Sequence, residues 1–334
     1  MLLVLDGNSL LHRAYHAAAT GRLLDRDGQP VWALKGLIGY VARAAARMQP
    51  DAVVVGFYCP DHSVRQDEHP GYKAHRAPKP ADLAEQIVAA PDLLRATGLC
   101  TVLHTAYEAD DVLASAADQA RHSGWRSVLV TSDRDSFALI DDTTSVLRVR
   151  NGGLDEAILV TPASLLQVFG VHPAQYRDLA ALRGDPSDNL PGVRGFGSAT
   201  AARLLTAFGT IDDAWATLDR GEQSAVRAAV GDRACEHLDS PAGREAVHLN
   251  RRLMHMHADL AVPDLDSARI PISLAGMRRA LLGRGINLGP SLWALTGGAK
   301  PTADDEIVFV RQPVRWKLNS RARREPAPGQ LALF

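Results

Sequence analysis

Two short acidic motifs lie between residues 108 and 135: Glu108, Asp110 and Asp111 in Glu-Ala-Asp-Asp, then Asp133 and Asp135 in Ser-Asp-Arg-Asp. Acids brought together repel one another; two of them about 4 Å apart cost roughly 4 kcal/mol at the effective dielectric of a protein surface. A converging set therefore needs protons or cations. Hard divalent ions such as Mg²⁺ and Mn²⁺ match it, because they take oxygen ligands and keep positions for water and phosphate. Zinc is disfavoured, since no Cys/His ligand spacing is present. Acids in a helix's first turn also stabilise its N-terminus without any metal, so each fragment alone leaves both readings open.

The elements that must position these acids are read from apolar periodicity. Leu2 to Leu5 predicts a buried strand ending at Asp6-Gly7-Asn8-Ser9, and Leu10, Leu11, Ala14, Tyr15 and Ala18 carry a helix. Trp32 to Met48, Leu83 to Thr97 and Asp110 to His122 predict helices; Ala52 to Phe57, Thr101 to His104 and Ser127 to Thr131 predict strands. This alternation indicates an α/β, three-layer domain with a mostly parallel sheet. Asp6, the Glu108 group and Asp133 each follow a predicted strand, so they should meet along one edge. Asp6 could equally cap the helix that follows it.

Between Asp61 and Pro80 runs a long polar connection containing Gly71-Tyr72-Lys73-Ala74-His75-Arg76. Connections this long inside a compact domain are usually functional or mobile. Lys73 and Arg76 suit a phosphate clamp and Tyr72 a platform for a base; a solvated basic loop fits the same residues. Ser145 to Arg150 and Ala157 to Val160 predict a hairpin around Asn151-Gly152-Gly153, and from Thr161 the pattern is helical almost to residue 283.

Within the helical part lies Gly184-Asp185-Pro186-Ser187-Asp188-Asn189-Leu190-Pro191-Gly192-Val193-Arg194-Gly195-Phe196-Gly197-Ser198-Ala199-Thr200. No strand precedes its glycines, which argues against a dinucleotide fingerprint. A helix-hairpin-helix fits better, with backbone N–H groups of the turn and of the next helix's first residues holding a nucleic-acid phosphate. A helical corner that only packs is the alternative. After Asn287 the order falters, Gly297 to Pro301 reads as a linker, Ile307 to Val310 as a strand, and Arg315 to Pro328 as a basic tail.

At 334 residues, 46% hydrophobic and 22% charged, the chain is expected to be a soluble protein of two domains. No apolar run is long enough for a membrane helix, and three widely spaced cysteines suit a reducing compartment. The expectation is a cytoplasmic protein. A formal net charge of -1 conceals a basic end, so a polyanionic partner is not excluded.

Together these residues resemble the bacterial 5′-nuclease family, which includes flap endonucleases and the front domain of DNA polymerase I. The matching pieces are Asp6-Gly7 with Arg13-Ala14-Tyr15-His16, Tyr72 to Arg76, Glu108 to Asp111, Asp133-Arg134-Asp135, and Gly184 to Asn189 followed by the helix-hairpin-helix. The resemblance covers roughly residues 1 to 290. It implies a PIN-like nuclease domain (1–183), a helical DNA-binding region (184–290) whose helix-three-turn-helix binds K⁺, and a linker and tail (291–334).

The implied activity is structure-selective DNA 5′ nuclease, both flap endonuclease and 5′ to 3′ exonuclease, with two or more Mg²⁺ or Mn²⁺. Asp6, Glu108, Asp110 and Asp111 are the implied ligands of one metal; Asp133, Asp135, Asp185 and Asp188 are those of the other. Lys73 and Arg76 would steer and polarise the scissile phosphate, Arg13 would touch another phosphate, and Tyr72 would stack on the terminal base. Residues 60 to 85 would form an arch, and Gly192, Val193, Gly195, Gly197, Ser198 and Thr200 would hold DNA. The expected partner is DNA with 5′ flaps, ends or nicks, met by a nucleoid-associated monomer.

Two positions depart from the family. After Phe57 the family usually places an aspartate ligand where this chain has Tyr58, a poor Mg²⁺ ligand. The family also often has Lys near Ser198-Ala199. Tyr58 keeps alive a rival reading, a DNA-junction-binding protein with weakened chemistry; a PIN-like ribonuclease is the other. Finally, Gln330-Leu331-Ala332-Leu333-Phe334 resembles the peptide by which bacterial replication and repair proteins dock on the sliding clamp, with Leu333 and Phe334 as anchors. An unconstrained apolar tail is the alternative.

Overall fold

Apolar runs without alternation need cover on both faces of a sheet, and in the computed structural model they have it. Residues 1–17, 23–58 and 63–302 are described. Cys59, the expected strand at Ile307 to Val310, the basic tail and the clamp-like peptide Gln330, Leu331, Leu333 and Phe334 lie outside the described residues.

Along the chain come β1 (Leu2–Asp6), α1 (Gly7–Ala17), α2 (Trp32–Met48), β2 (Ala52–Tyr58), α3 (Val64–Glu68), α4 (Ala81–Ala96), β3 (Cys100–His104), α5 (Ala109–His122) and β4 (Ser127–Thr131). Then follow β5 (Thr144–Arg150), β6 (Gly153–Val160), α6 (Pro162–Phe169), α7 (Tyr176–Arg183), β7 (Gly184–Asp185), β8 (Leu190–Pro191) and α8 (Ser198–Phe208). The rest is α9 (Ile211–Asp219), α10 (Gln223–Val230), α11 (Asp232–Asp239), α12 (Pro241–Leu253), α13 (Leu274–Gly283) and α14 (Trp293–Thr296).

The 6-stranded sheet has the order β3-β2-β1-β4-β5-β6. Strands β1 to β5 are parallel and β6 returns antiparallel as the expected hairpin. Strand order reverses beside β1, so the carboxyl ends of β1 and β4 flank the crevice where open α/β sheets bind ligands.

Alternate residues of the central strands feed two cores. Leu3, Leu5, Val53, Val55 and Val130 join Leu34 and Leu37 of α2 and Leu83 and Ile87 of α4. Leu2, Val4, Val54 and Leu129 join Val112 and Leu113 of α5, and this core continues into Leu179, Leu204, Trp215 and Val247. The three-layer α/β expectation therefore holds, with the helical region fused to one face. Because α7 packs on α8 and α12, the helical unit begins ahead of residue 184. No helix among the described residues is long and apolar enough to cross a membrane.

The continuous helical pattern read from 161 to 283 is interrupted at 254–273. This stretch contains Pro263 and Pro271, which lack the backbone donor a helix needs. It crosses back to the sheet: Ala52 and Arg269 form a bridge, and Ile270 donates its N–H to the Asp51 carbonyl at 3.0 Å. Residues 291–296, read as the start of a linker, are seated too, with Leu292 and Leu295 buried in the core that contains α2.

Gly184-Asp185 pairs antiparallel with Leu190-Pro191. That closes a tight loop at the end of α7. A Cβ on Gly192 would lie 2.1 Å from the Arg183 carbonyl oxygen, so only glycine lets the two backbones approach. Gly192→Ala is expected to cost about 1–3 kcal/mol of stability through overpacking. A urea titration checks this, and an unchanged midpoint would contradict the close approach.

Candidate metal centre

Asp6 ends β1 and does both things asked of it. Its Oδ1 accepts the Ser9 N–H at 2.9 Å, capping α1, and its Oδ2 accepts the Thr131 hydroxyl at 2.9 Å. Thr131 ends β4, and its Oγ1 in turn accepts the Asp133 N–H at 3.1 Å. The neighbouring strand ends are thus tied together at the acids. Asp6, Glu108, Asp110 and Asp133 line one cavity of about 540 Å³, together with His12, Tyr58, Arg76 and Lys79.

Burial, with the Asp133 charge adding to it, pushes the Asp6 carboxyl up to about 6. Asp110 is held well above the usual carboxylate range by burial and then by Asp133, Asp6 and Glu108. A second group lies beside the first: Asp135, Asp185 and Asp188 each offer an oxygen within 4.8 Å of the others. Burial and the charges of Asp133, Asp185 and Asp188 push Asp135 up to about 7. Asp133 acts on both groups, and the donor set is all oxygen, which suits hard divalent ions.

Lys73 and Arg76 are inserted among these acids. Lys73 Nζ donates to both Glu108 oxygens at 2.8 and 2.9 Å and lies 3.6 Å from Asp188. Arg76 pairs with Asp188 and donates to the Ser187 carbonyl at 3.3 Å. Burial raises the Asp188 pKa and these two cations oppose the rise.

The backbone locks this placement. The Lys73 N–H donates to the Asp188 carbonyl at 3.0 Å, and Asn189, at φ 61, donates from its side chain to the Gly71 carbonyl at 2.8 Å. The described part of the expected arch is therefore seated on the second acid group. Asp185 Oδ1 accepts both the N–H and the hydroxyl of Ser187 at 2.8 Å, which fixes its rotamer.

Three expectations are corrected. Asp111 is fully buried and belongs to no acid group: its oxygens accept two N–H bonds from Arg65, one from the Glu108 backbone and one from the His257 backbone. Arg65 holds its carboxyl below the usual range, with those backbone donors helping, against the opposing effect of burial. Tyr72 is buried, so it offers no face to a base; its hydroxyl lies 3.1 Å from both Glu108 and Asp188. Arg13, expected at another phosphate, donates to the Arg150 carbonyl at 2.7 Å, in the β5–β6 hairpin.

The third correction concerns the turn. Val193 is 3% exposed and packs in the core, leaving Gly195, Gly197 and Ser198 exposed and Thr200 half-buried ahead of and within the first turn of α8. Gly195 takes φ +87 and Gly197 caps α8. Gly192 is packed on Arg183.

Sequence reasoning missed Arg65 and Asn250. Asn250, fully buried on α12, donates to the Ala181 and Pro191 carbonyls at 2.9 Å each and so clamps both sides of the loop that carries Asp185 and Asp188. No spacing in the sequence joins either residue to its distant partners. Tyr58 stands at the end of β2, its N–H donating to Asn8 Oδ1 at 2.7 Å and its ring 5.5 Å from Lys79 Nζ.

Residues 1–170 match the family model of the 5′-3′ exonuclease N-terminal resolvase-like domain, and 171–273 that of the 5′-3′ exonuclease C-terminal SAM fold. Among curated relatives, DNA polymerase I of Mycobacterium leprae is 36% identical over 260 residues, covering 78% of this chain and 27% of the polymerase. The thermostable DNA polymerase I of Thermus aquaticus is 37% identical over 238 residues, with 71% and 27% covered. The chain thus spans about a quarter of the length of these relatives. Among solved structures, T5 5′-exonuclease with bound zinc has a TM-score of 0.60 at 20% identity, covering 77% of this chain and 89% of that one. The catalytic core of Rad2 with DNA substrate has 0.52 at 15%, covering 85% and 87%. These two likenesses bear on the fold.

Two outcomes are expected. Tyr58→Asp adds a carboxylate to the cavity and should tighten Mn²⁺ binding about tenfold, on the scale of 1.4 kcal/mol per decade; an unchanged calorimetric titration would place Tyr58 outside the metal's reach. Second, Asp6 and Asp135 hold protons up to about pH 6 and 7, whereas unfolded carboxylates lose theirs near 4. The folded state then binds more protons, so this contribution to stability is present at low pH and lost as pH rises through 6 and 7. In EDTA, raising pH from 5.5 to 8 should lower Tm more in the wild type than in Asp6→Asn/Asp135→Asn; equal slopes would contradict the shifts.

Proposed function

Because this chain belongs to the 5′-3′ exonuclease family, we propose that it is a divalent-metal-dependent, structure-selective DNA 5′ nuclease, acting as flap endonuclease and 5′ to 3′ exonuclease in replication and repair. The observation that carries this reading is the convergence of two carboxylate groups on Asp133 with Lys73 and Arg76 set among them.

Asp6, Glu108, Asp110 and Asp133 would hold one ion, and Asp135, Asp185 and Asp188 another. Mg²⁺ or Mn²⁺ held there would make a nucleophile available near neutral pH and would offset charge developing on the phosphate. Lys73 and Arg76, which pair with Glu108 and Asp188, would turn to a phosphate. Thr131, Tyr72 and Ser187 hold Asp6, Glu108, Asp188 and Asp185 in fixed rotamers, which reduces reorganisation when substrate arrives. Divalent ions on T5 5′-exonuclease and DNA substrate on the Rad2 core support the assignment.

The exposed turn from Gly195 to Thr200 would hold the duplex backbone and K⁺ through backbone groups. A sliding-clamp contact through residues 330 to 334, a monomeric state and a place at the cytoplasmic nucleoid belong to the same reading.

Incubating labelled flap DNA, single-stranded RNA and RNA-DNA hybrid with Mn²⁺ tests the assignment. Cleavage confined to the flap supports it. Tight flap binding without cleavage would favour the junction-binding rival, and cleavage of RNA the ribonuclease. Asp185→Asn should slow flap cleavage at least 100-fold while leaving flap affinity nearly intact, since the metal carries the rate. Full activity in that variant would remove Asp185 from the site.

A further inference from the structure

Arg65 is a cation in the interior, 6% exposed, on a short helix just after the stretch 59–62. Its guanidinium donates Nη1 and Nη2 to the two oxygens of Asp111, both at 2.7 Å. Nη2 also donates to the His255 carbonyl at 2.6 Å, and Nε to the Leu253 carbonyl at 2.8 Å. Nη1 lies 3.6 Å from Glu108 Oε2. Three stretches remote in sequence meet on one planar group: α3, the first turn of α5, and the strap that leaves α12.

A buried ion pair is a poor source of net stability, because desolvation offsets much of the attraction. Its strength is geometry, since a planar fork accepts a carboxylate in one orientation only. The pair fixes the start of α5. Asp111 Oδ2 accepts the Glu108 N–H at 2.9 Å, closing a capping box, and Oδ1 accepts the His257 N–H at 2.8 Å. Glu108 and Asp110 flank this anchor in sequence and line the acid cavity, while Asp111 does not line it.

We propose that Arg65 is a positioning residue of the first carboxylate group: through Asp111 it sets where Glu108 and Asp110 present their oxygens, without itself touching metal or substrate.

The inference rests on the reading that the acids bind divalent ions, and the test separates the two. Calorimetric titration of the metal-free full chain with Mn²⁺ is compared across variants, with Asp110→Asn marking loss of the first group and Asp135→Asn loss of the second. Arg65→Lys keeps a charge but not the fork. The double variant Arg65→Met/Asp111→Leu leaves no unpaired buried charge, so it is the variant chosen to stay folded, with Tm as the check.

Both variants should weaken the binding that Asp110→Asn abolishes by roughly 10- to 100-fold, as outer-shell changes do, and leave the Asp135-dependent binding within about twofold. On flap DNA, kcat should fall with KM nearly unchanged. Wild-type first-group affinity in either folded variant overturns the positioning role while the metal reading stands. Equal weakening of both groups also overturns it, since that is a general structural loss. A wild-type chain that takes up no Mn²⁺ overturns the metal reading and this inference with it.

Discussion

Carboxylates crowded at the carboxyl end of a parallel sheet cannot all carry charge unless cations sit among them. The strand order forces the crowding here, because Asp6 and Asp133 leave adjacent strands and α5 delivers Glu108 and Asp110 beside them. Burial and mutual repulsion raise the pKa values of Asp6, Asp110 and Asp135, so protons remove part of the charge. Part is balanced by Lys73 and Arg76. Those two side chains therefore mark where positive charge is wanted, and divalent ions answer the same demand with more charge.

The surrounding structure keeps the acids close against that repulsion. The second group depends on a loop made by close backbone contact at Gly192, and on Asn250 reaching over it from α12. The first depends on hydrogen bonds from Thr131 and Ser9 to Asp6, and on the Arg65–Asp111 anchor beneath Glu108. The helical region completes the seat of the chemistry, which explains why its core runs without a break into that of the sheet.

Much of this was legible in the sequence. Unbroken apolar runs predicted the parallel strands, and acids placed just after them predicted a shared edge. Side-chain direction was not legible. Asp110 and Asp111 are neighbours on a helix, roughly 100° apart around its axis, so one lines the cavity and the other turns into the interior to meet Arg65. Tyr72 looked like a platform because its neighbours are polar and basic, yet its ring is buried and only its hydroxyl meets the acids. Val193 sits among glycines of an exposed turn but fills the core. The proline-interrupted strap at 254–273 was hidden because apolar residues continue through it. In each case a contact between residues far apart in sequence outweighed the local pattern.

Tyr58 stands at the end of β2, where the family resemblance led to the expectation of an aspartate. The first group has Asp6, Glu108, Asp110 and Asp133 lining the cavity, and the proposed chemistry requires that they suffice. Anomalous diffraction from crystals soaked in Mn²⁺ tests that requirement most directly. Two peaks are expected, one bounded by Asp6, Glu108, Asp110 and Asp133 and one by Asp135, Asp185 and Asp188. Peaks elsewhere, or none with Lys73 and Arg76 still seated on Glu108 and Asp188, would contradict it.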